Sequence, residues 1–365
     1  MRPRAIHQVL AALSYGDAIG NESLAIRDHL KARGFESEIF AEKVHPRMAG
    51  SARPLSEYDA SAGPDSLCLF HFSIGSAASS LVYQRTEPLV CIYHNITPAE
   101  FFVPFHQHLA GLCHHGKREL TAFAARSVLG LGDSEFNRRE LEAAGFAPTG
   151  VLPIVMDWNR YDETPSPVMQ KRLEGFPGPT ILFVGRVVPN KKFEDVIRSF
   201  AAFQRHHAPE SRLLLVGDTL GHERYLRRLH ELVHDLRVQN VVFTGQVLQA
   251  DLVAAYRSAD AFLCLSEHEG FCVPLLEAMR FGLPVIAFNC TAIGETMGGG
   301  GVLLDDKDPA LVAEVLDRVL RDGAFRAAVL ASQKRTLDRA QAIDFGGLLE
   351  AHIETALAHA APGAR

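Results

Sequence analysis

The stretch His268–Met279 reads HEGFCVPLLEAM. It follows an apolar, strand-like run at Ala261–Leu265 and carries a helix start at Pro274. Proline is welcome in a first helical turn, where its missing N–H has no partner to lose. Gly282 and Pro284 stop the helix, and Val285–Phe288 resumes as strand. Strand, loop, helix and strand in that order form one βαβ unit of a parallel sheet. Within it Glu269 lies on the loop beyond the strand end and Glu277 in the opening turns of the helix, with seven residues between them. A helix N-terminus separates the two, and its amides and dipole suit a phosphate. A ligand with hydroxyls at both ends and phosphate in the middle fits, which is the shape of a nucleotide sugar.

Outward from this unit the rhythm repeats. Strands are predicted at Ile6–Leu10, Glu38–Phe40, Leu67–Phe70, Leu89–Tyr93 and Ser127–Leu131, with a helix at Glu22–Arg33 closed by Gly34. After the Pro-rich stretch Thr164–Thr180, where the linker is predicted, strands follow at Ile181–Val184, Arg212–Val216 and Val241–Thr244. The fold class is therefore α/β, two Rossmann-like doubly wound parallel-sheet domains facing a cleft, with ligands beyond the carboxyl ends of the strands. The length of 365 residues suits about two domains. We expect domains at 1–160 and 161–344, followed by a segment 345–365.

The formal net charge of −6 argues against nucleic acid as a partner, since nucleic-acid-binding domains carry a basic face. Six cysteines are scattered without CxxC or metal-ligand spacing, beside apolar runs, and read as small core residues of a reducing cytoplasm. MRPRAIHQVLAAL is too short and mixed for a signal peptide. No apolar run approaches the roughly 20 residues of a membrane helix, so a cytoplasmic location is expected. Lys117-Arg118 and Arg138-Arg139 admit peripheral contact with an anionic membrane surface and equally a solvated helix face.

Strand Ile181–Val184 ends in Gly185-Arg186, and a helix is predicted to begin near Lys191. Lysines at the positive end of a helix dipole are unfavourable by roughly 0.3–1 kcal/mol each, a sign that a bound anion reverses. Arg186 adds a fork suited to pyrophosphate. A solvated basic loop is the alternative. Paired carboxylates also occur in glycoside hydrolases, but hydrolysis has no need of Arg186, Lys191 and a helix N-terminus together. In the first half, Ser14–Gly20 carries GxxxG rather than the GxGxxG dinucleotide fingerprint. His94 stands at a strand end in YHN, and His71 at another in HFS. With 17 histidines in the chain, position at a strand end is what singles these out.

These residues resemble the retaining glycosyltransferases of family 4, the group 1 transferases of GT-B architecture. The likeness rests on Gly185-Arg186, on Lys191 with Lys192 as alternate register, and on Glu269 and Glu277. It extends to FTGQV at Phe243–Val247, LVAAYRSAD at Leu252–Asp260, GVLLDDKDP at Gly301–Pro309 and VLPIVMDWNRY at Val151–Tyr161. The resemblance implies that Arg186 and Lys191 hold the donor diphosphate, that Glu277 takes the ribose and that Glu269 takes hydroxyls of the transferred sugar. It implies further that amides of Phe271, Cys272 and Val273 touch phosphate and sugar, with Val247 at the base, Gly20 near the diphosphate and His94 near the sugar. Two positions depart from the family pattern: Cys272, where glycine is commoner, and the GxxxG turn, where a double glycine is common. A closing helix crossing back to the first domain is implied for about Phe345–His359.

Expected, then, is a retaining hexosyltransferase. It takes a UDP- or GDP-sugar and a glycan, glycolipid or small-molecule acceptor, with no metal and no cofactor required, and serves cell-surface polysaccharide or glycoconjugate synthesis. Glu269, His94, Arg186 and Lys191 are its catalytic candidates. The alternatives are a GT-B-type nucleotide-sugar epimerase and a non-catalytic nucleotide-sugar-binding protein. The oligomeric state is not readable.

Overall fold

The computed structural model describes residues 3–360. Two compact units emerge. The first comprises residues up to Val103, Gln107–Met156 and the chain from Asp344 onward; the second comprises Pro104–His106 and Asp157–Ile343.

The first unit is built on seven parallel strands, β1 (Ala5–Leu13), β2 (Ile39–Val44), β3 (Arg53–Pro54), β4 (Ser66–Phe72), β5 (Leu89–Tyr93), β6 (Leu129–Gly132) and β7 (Thr149–Val151). Their order is β3-β2-β1-β4-β5-β6-β7, so the direction of winding reverses between β1 and β4. β4 and β5 are buried along their whole length, which is why they read as unbroken apolar runs rather than alternating ones. Ile6, Leu67, Leu69, Val90 and Ile92 form its core together with Leu349, Ile353 and Ala356 of the helix Phe345–Ala360. That helix is fastened by Glu350, which pairs with His29 and Arg33. Residues 361–365 of the segment expected as the C-terminal helix lie outside the described residues.

The second unit has six parallel strands, β8 (Thr180–Val184), β9 (Arg212–Val216), β10 (Val241–Gly245), β11 (Ala261–Cys264), β12 (Val285–Phe288) and β13 (Val302–Leu304). Their order is β10-β9-β8-β11-β12-β13, with the switch point between β8 and β11. Crevices beyond the carboxyl ends of strands at such points are where doubly wound sheets bind ligands. Phe183 packs against Phe193 and Phe262 at the centre of this core.

Several expectations need correction. The Pro-rich stretch Thr164–Thr180 is not the linker: it lies inside the second unit and carries the helix Pro167–Leu173, with Ser166 as N-cap and Pro167 at its start. Proline clusters mark helix starts as readily as linkers. The first helix spans Ala18–Ala32, a turn earlier than Glu22–Arg33. Strands β3, β7 and β13 have two or three residues each, too short to show a period in the sequence. The helix expected near Lys191 begins at Phe193, after a 3-10 turn at Pro189–Lys191.

Candidate functional site

In the second unit the backbone folds back on itself after β8. Gly185 is followed by exposed Arg186, by the 3-10 turn, and by Lys192 in the left-handed region (φ 50°) as N-cap of the helix Phe193–His206. A Cβ on Gly185 would lie 2.9 Å from Lys191 Cδ, so glycine lets the lysine stem cross the strand end. Lys191 Nζ thereby donates to Glu269 Oε1 at 2.6 Å. The two lysines thus do not confront the helix dipole alone. Lys191 is answered by Glu269, Lys192 by Glu267 at 3.0 Å, and Glu194 and Asp195 occupy the first helical turn. Burial works against the charge on Lys191, but the Glu269 carboxylate outweighs it and raises the pKa above the usual lysine value.

Glu269 is held from several directions. Ser266 Oγ donates to Oε1 at 2.8 Å. Its backbone N–H donates to Thr291 Oγ1 at 2.9 Å, and that hydroxyl donates to the Glu269 carbonyl at 2.8 Å. Asn190 Nδ2 donates to the His268 carbonyl at 2.9 Å and ties the 3-10 turn to the same loop. Three residues on, Cys272 takes φ 74° and caps the helix Val273–Arg280, with Pro274 in its first turn. Phe271 and Val273, half-buried, flank the cap. The first amides of a helix have no intrahelical partner, so this end offers donors to an anion.

Glu277 lies one helical turn deeper and is buried. Tyr161 Oη donates to its Oε1 at 2.7 Å and Tyr256 Oη to its Oε2 at 2.6 Å. Burial raises the Glu277 pKa, and the two hydroxyls pull it back only in part. Phe281 fixes both donors: Tyr256 stacks on it at 5.0 Å and Tyr161 meets it edge-on at 6.1 Å. Neither tyrosine was singled out from the sequence, although both stand in the segments LVAAYRSAD and VMDWNRY. Half-buried Val247 follows β10, just before the helix Gln249–Ser258. The second unit therefore gathers Gly185, Lys191, Glu269 and Cys272 around one strand end, with Glu277 behind them on the helix.

The first unit holds a different cluster. Gly20 is in the first turn of the helix Ala18–Ala32, where a Cβ would meet the Ser14 carbonyl oxygen at 2.7 Å. His94 follows β5, and both of its ring nitrogens are engaged. Nδ1 lies 3.0 Å from Asp133 Oδ2 and Nε2 lies 2.8 Å from His71 Nδ1. His71 Nε2 is 2.9 Å from Gln8 Oε1, while Gln8 Nε2 donates to the Ser23 carbonyl at 2.9 Å. The donor directions follow from that anchor. Gln8 Oε1 accepts, so His71 Nε2 carries a proton; neutral His71 then accepts at Nδ1, so His94 Nε2 carries a proton too. Burial pushes His71 well below the usual histidine range, in accord with a neutral ring. For His94 burial acts in the same sense, but the charge and hydrogen bond of Asp133 prevail and lift it to about 9. Glu22 has an oxygen 3.7 Å from His94 Nε2, and burial holds its carboxyl well above the usual range.

Two groups of side chains bring metal-ligand atoms within 4.8 Å of one another among the described residues: Glu22, His71 and His94, and Cys264, Glu269 and Cys272. In the first group the two imidazole planes agree within 4° with centroids 5.0 Å apart. With nitrogens at 2.8 Å, the rings meet edge to edge and aim at each other, the geometry of a shared proton rather than of two lone pairs converging on an ion. His115, outside this cluster, is an exposed partner of Glu119. Lys117 donates to Glu140 and Tyr93, and Arg138 pairs with Glu135 and Glu142, so one member of each basic doublet is neutralised within the fold. No helix of the described residues is long and apolar enough to cross a membrane.

Set against known proteins, residues 169–335 match the family model described as glycosyl transferases group 1. O-antigen chain mannosyltransferase B of Escherichia coli is 28% identical over 165 residues, 45% of this chain and 42% of that protein. D-inositol 3-phosphate glycosyltransferase of Salinispora arenicola is 33% identical over 215 residues, 54% of this chain and 46% of that protein. The chain thus spans less than half the length of these two curated relatives. The crystal structure of Anabaena HepE in complex with UDP and glucose superposes with a TM-score of 0.71 at 21% identity, covering 96% of this chain and 99% of that one. That likeness over nearly the full length establishes the fold, a pair of Rossmann-like sheets of GT-B type. Residues 169–335, a little under half of the chain, are similar to the glycosyl transferases group 1 family.

Proposed function

We propose that the chain is a retaining glycosyltransferase of family 4 that moves a hexose from a UDP- or GDP-sugar to a glycan, glycolipid or small-molecule acceptor. The observation that carries this reading is the ion pair of Lys191 with Glu269 at 2.6 Å, set between exposed Arg186 and the N-terminus of the helix Val273–Arg280. Breaking the sugar–phosphate bond leaves negative charge on the departing diphosphate. Arg186, Lys191 and the amides at Phe271, Cys272 and Val273 supply fixed positive potential where that charge grows, the term that is usually largest in catalysis. Glu269, held by Ser266 and Thr291, orients sugar hydroxyls. It is already committed to Lys191, which suits positioning better than nucleophilic attack. Glu277, its carboxylate fixed by two tyrosines, receives the ribose. HepE was crystallised with UDP and glucose, and the E. coli relative is a mannosyltransferase, which supports a nucleotide-linked hexose as donor.

The test begins with a thermal-shift panel of UDP, GDP, ADP and their sugars, in which a ligand at 100 times its Kd stabilises by roughly 2.7 kcal/mol. The donor so identified is then incubated with and without candidate acceptors while free nucleotide is measured. We expect release only with an acceptor, and a product whose anomeric configuration, read by NMR, matches the donor. Release without an acceptor would turn the reading toward a GT-B-type epimerase. Full transfer by both Glu269→Ala and Arg186→Ala would remove the assigned site.

A further inference from the structure

Three cysteines border the Lys191–Glu269 pair: Cys264 at the end of β11, Cys272 at the helix cap and Cys290 beyond β12. Cys290 Sγ donates to the Ser266 carbonyl at 3.0 Å. The other two face each other. Cys264 Sγ and Cys272 Sγ are 4.0 Å apart, and a Glu269 carboxylate oxygen lies within 4.8 Å of both. Zinc–thiolate bonds of about 2.3 Å in a tetrahedron set two sulfurs about 3.8 Å apart, so this pair needs almost no movement to share an ion.

Two further observations make the group more than a core contact. Cys272 holds φ 74°. A side chain there is strained and glycine would be relaxed, so the thiol is kept at a backbone cost at the mouth of the site. The group also already holds a cation at one member: the Lys191 ammonium is bonded to Glu269 Oε1 at 2.6 Å. Cys264 is fully buried, while Cys272 and Glu269 are 7% and 8% exposed, so an ion would enter from the Cys272 and Glu269 side.

We propose that Cys264, Cys272 and Glu269 form a binding site for a thiophilic divalent cation of the zinc class, and that the bound cation displaces Lys191 from Glu269 and shuts out the donor. Two metal–sulfur bonds and one metal–oxygen bond form. Each thiol gives its proton to solvent, two protons leave per ion, and no electron is transferred. Two thiolates and a carboxylate carry three negative charges, balanced by the divalent ion and the neighbouring ammonium. Exclusion of the donor rests on the transferase reading; cation binding does not.

Cadmium chloride titrated into the full chain, with a non-thiol reductant present, tests both halves. Binding should produce thiolate-to-cadmium charge-transfer absorbance that saturates at one ion per chain, with two protons released. Cys272→Gly relaxes the backbone at that position, so the fold is kept while the absorbance disappears. Cys113→Ser, in the first unit, should retain it. Absence of the absorbance in the unsubstituted chain, its persistence in Cys272→Gly, or loss of two thiols to a disulfide without metal uptake would overturn the site. Cadmium should also weaken nucleotide-sugar binding in the unsubstituted chain and leave that of Cys272→Gly unchanged. Saturation by cadmium with donor binding unaltered overturns the displacement of Lys191. Failure of the metal-free chain to bind any nucleotide sugar removes the transferase reading and leaves the cation site standing.

Discussion

In the second unit the buried acids are answered by donors from other elements, Glu269 by Lys191 and Ser266, Glu277 by Tyr161 and Tyr256. In the first unit Glu22 is fully buried, and neither of its oxygens has a hydrogen-bond partner among the described residues. The His94 chain beside it has a counter-charge in Asp133, yet Asp133 Oδ1 also lacks a partner. An unanswered buried carboxyl costs on the order of 1–3 kcal/mol, more if it is charged. The second unit thus presents a preassembled grip whose charges are balanced before any ligand arrives. The first stores a proton-rich cluster whose charge state is set by burial at Glu22 and His71 and by Asp133, against burial, at His94. Substitutions should therefore act through lost partners in one unit and through pH in the other.

The largest effect is expected at Glu269. Glu269→Ala strands the Lys191 ammonium beside two thiols, and removing one member of a buried ion pair costs about 3–5 kcal/mol. Transfer should fall at least about a thousandfold, read as kcat/KM with the identified donor. Arg186→Ala, which removes an exposed cation from the surface of the strand end rather than one member of a buried pair, should cost about 10²–10³ in kcat with little change in Tm. Equal thermal destabilisation by both would break the contrast between a buried pair and an exposed arginine.

Next in size is Asp133→Asn. The pKa of His94 in the folded chain, about 9, lies above the ordinary 6.5. Its stabilising contribution is therefore complete below pH 6.5 and lost as pH rises through 9. The variant should lack about 2–3 kcal/mol of that contribution at neutral pH, and the gap should close by about pH 10. NMR titration of the His94 ring should move from about 9 to below 6.5, because burial then acts unopposed. A ring that still titrates near its original value would show that Asp133 does not set the charge.

Tyr256→Phe should act more gently, since Glu277 keeps Tyr161. One hydrogen bond to a charged group is worth about 1.5–3 kcal/mol at most, so KM for the donor should rise roughly tenfold with kcat nearly constant. With Glu277→Gln the double variant should be less than additive, because both touch one interaction. Strict additivity would separate the tyrosine from the ribose end of the grip.

Inner strands of both sheets were legible in the sequence where they are apolar along their whole length, as Leu89–Tyr93, Ala261–Cys264 and Val285–Phe288 show. The two-residue strand Arg53–Pro54 was not, since so short an edge leaves no period to read. Arg186, Lys191, Glu269 and Glu277 stood out because each follows or opens a recognisable element. Their partners did not, because a hydrogen bond between Tyr256 and Glu277 is a fact of packing rather than of spacing. The His94 cluster was half visible. His71, His94 and Asp133 all stand at or just past the ends of β4, β5 and β6, which are adjacent in the sheet, and strand ends that adjoin share one row. Gln8 and Glu22 gave no such cue, the one sitting within β1 and the other inside a helix.

Glu22→Gln is the smallest expected effect and the sharpest separation of the two units. Burial, the leading cause, raises the Glu22 pKa well above 4.5, so the carboxyl enters the fold protonated. A group whose folded pKa is raised contributes stability that is fully present below its unfolded value and is lost as pH rises toward the folded value. The unsubstituted chain should therefore lose stability on this account from about pH 4.5 upward. Glutamine carries no proton to lose and has nearly the same shape. At pH 4.5 the two chains should unfold together, and by pH 8 the variant should be the more stable in denaturant titration. The same exchange at Glu269, whose charge is needed by Lys191, should destabilise at pH 8 instead. Opposite signs for one chemical change then measure the difference between an acid held neutral by burial and an acid hydrogen-bonded to a buried lysine.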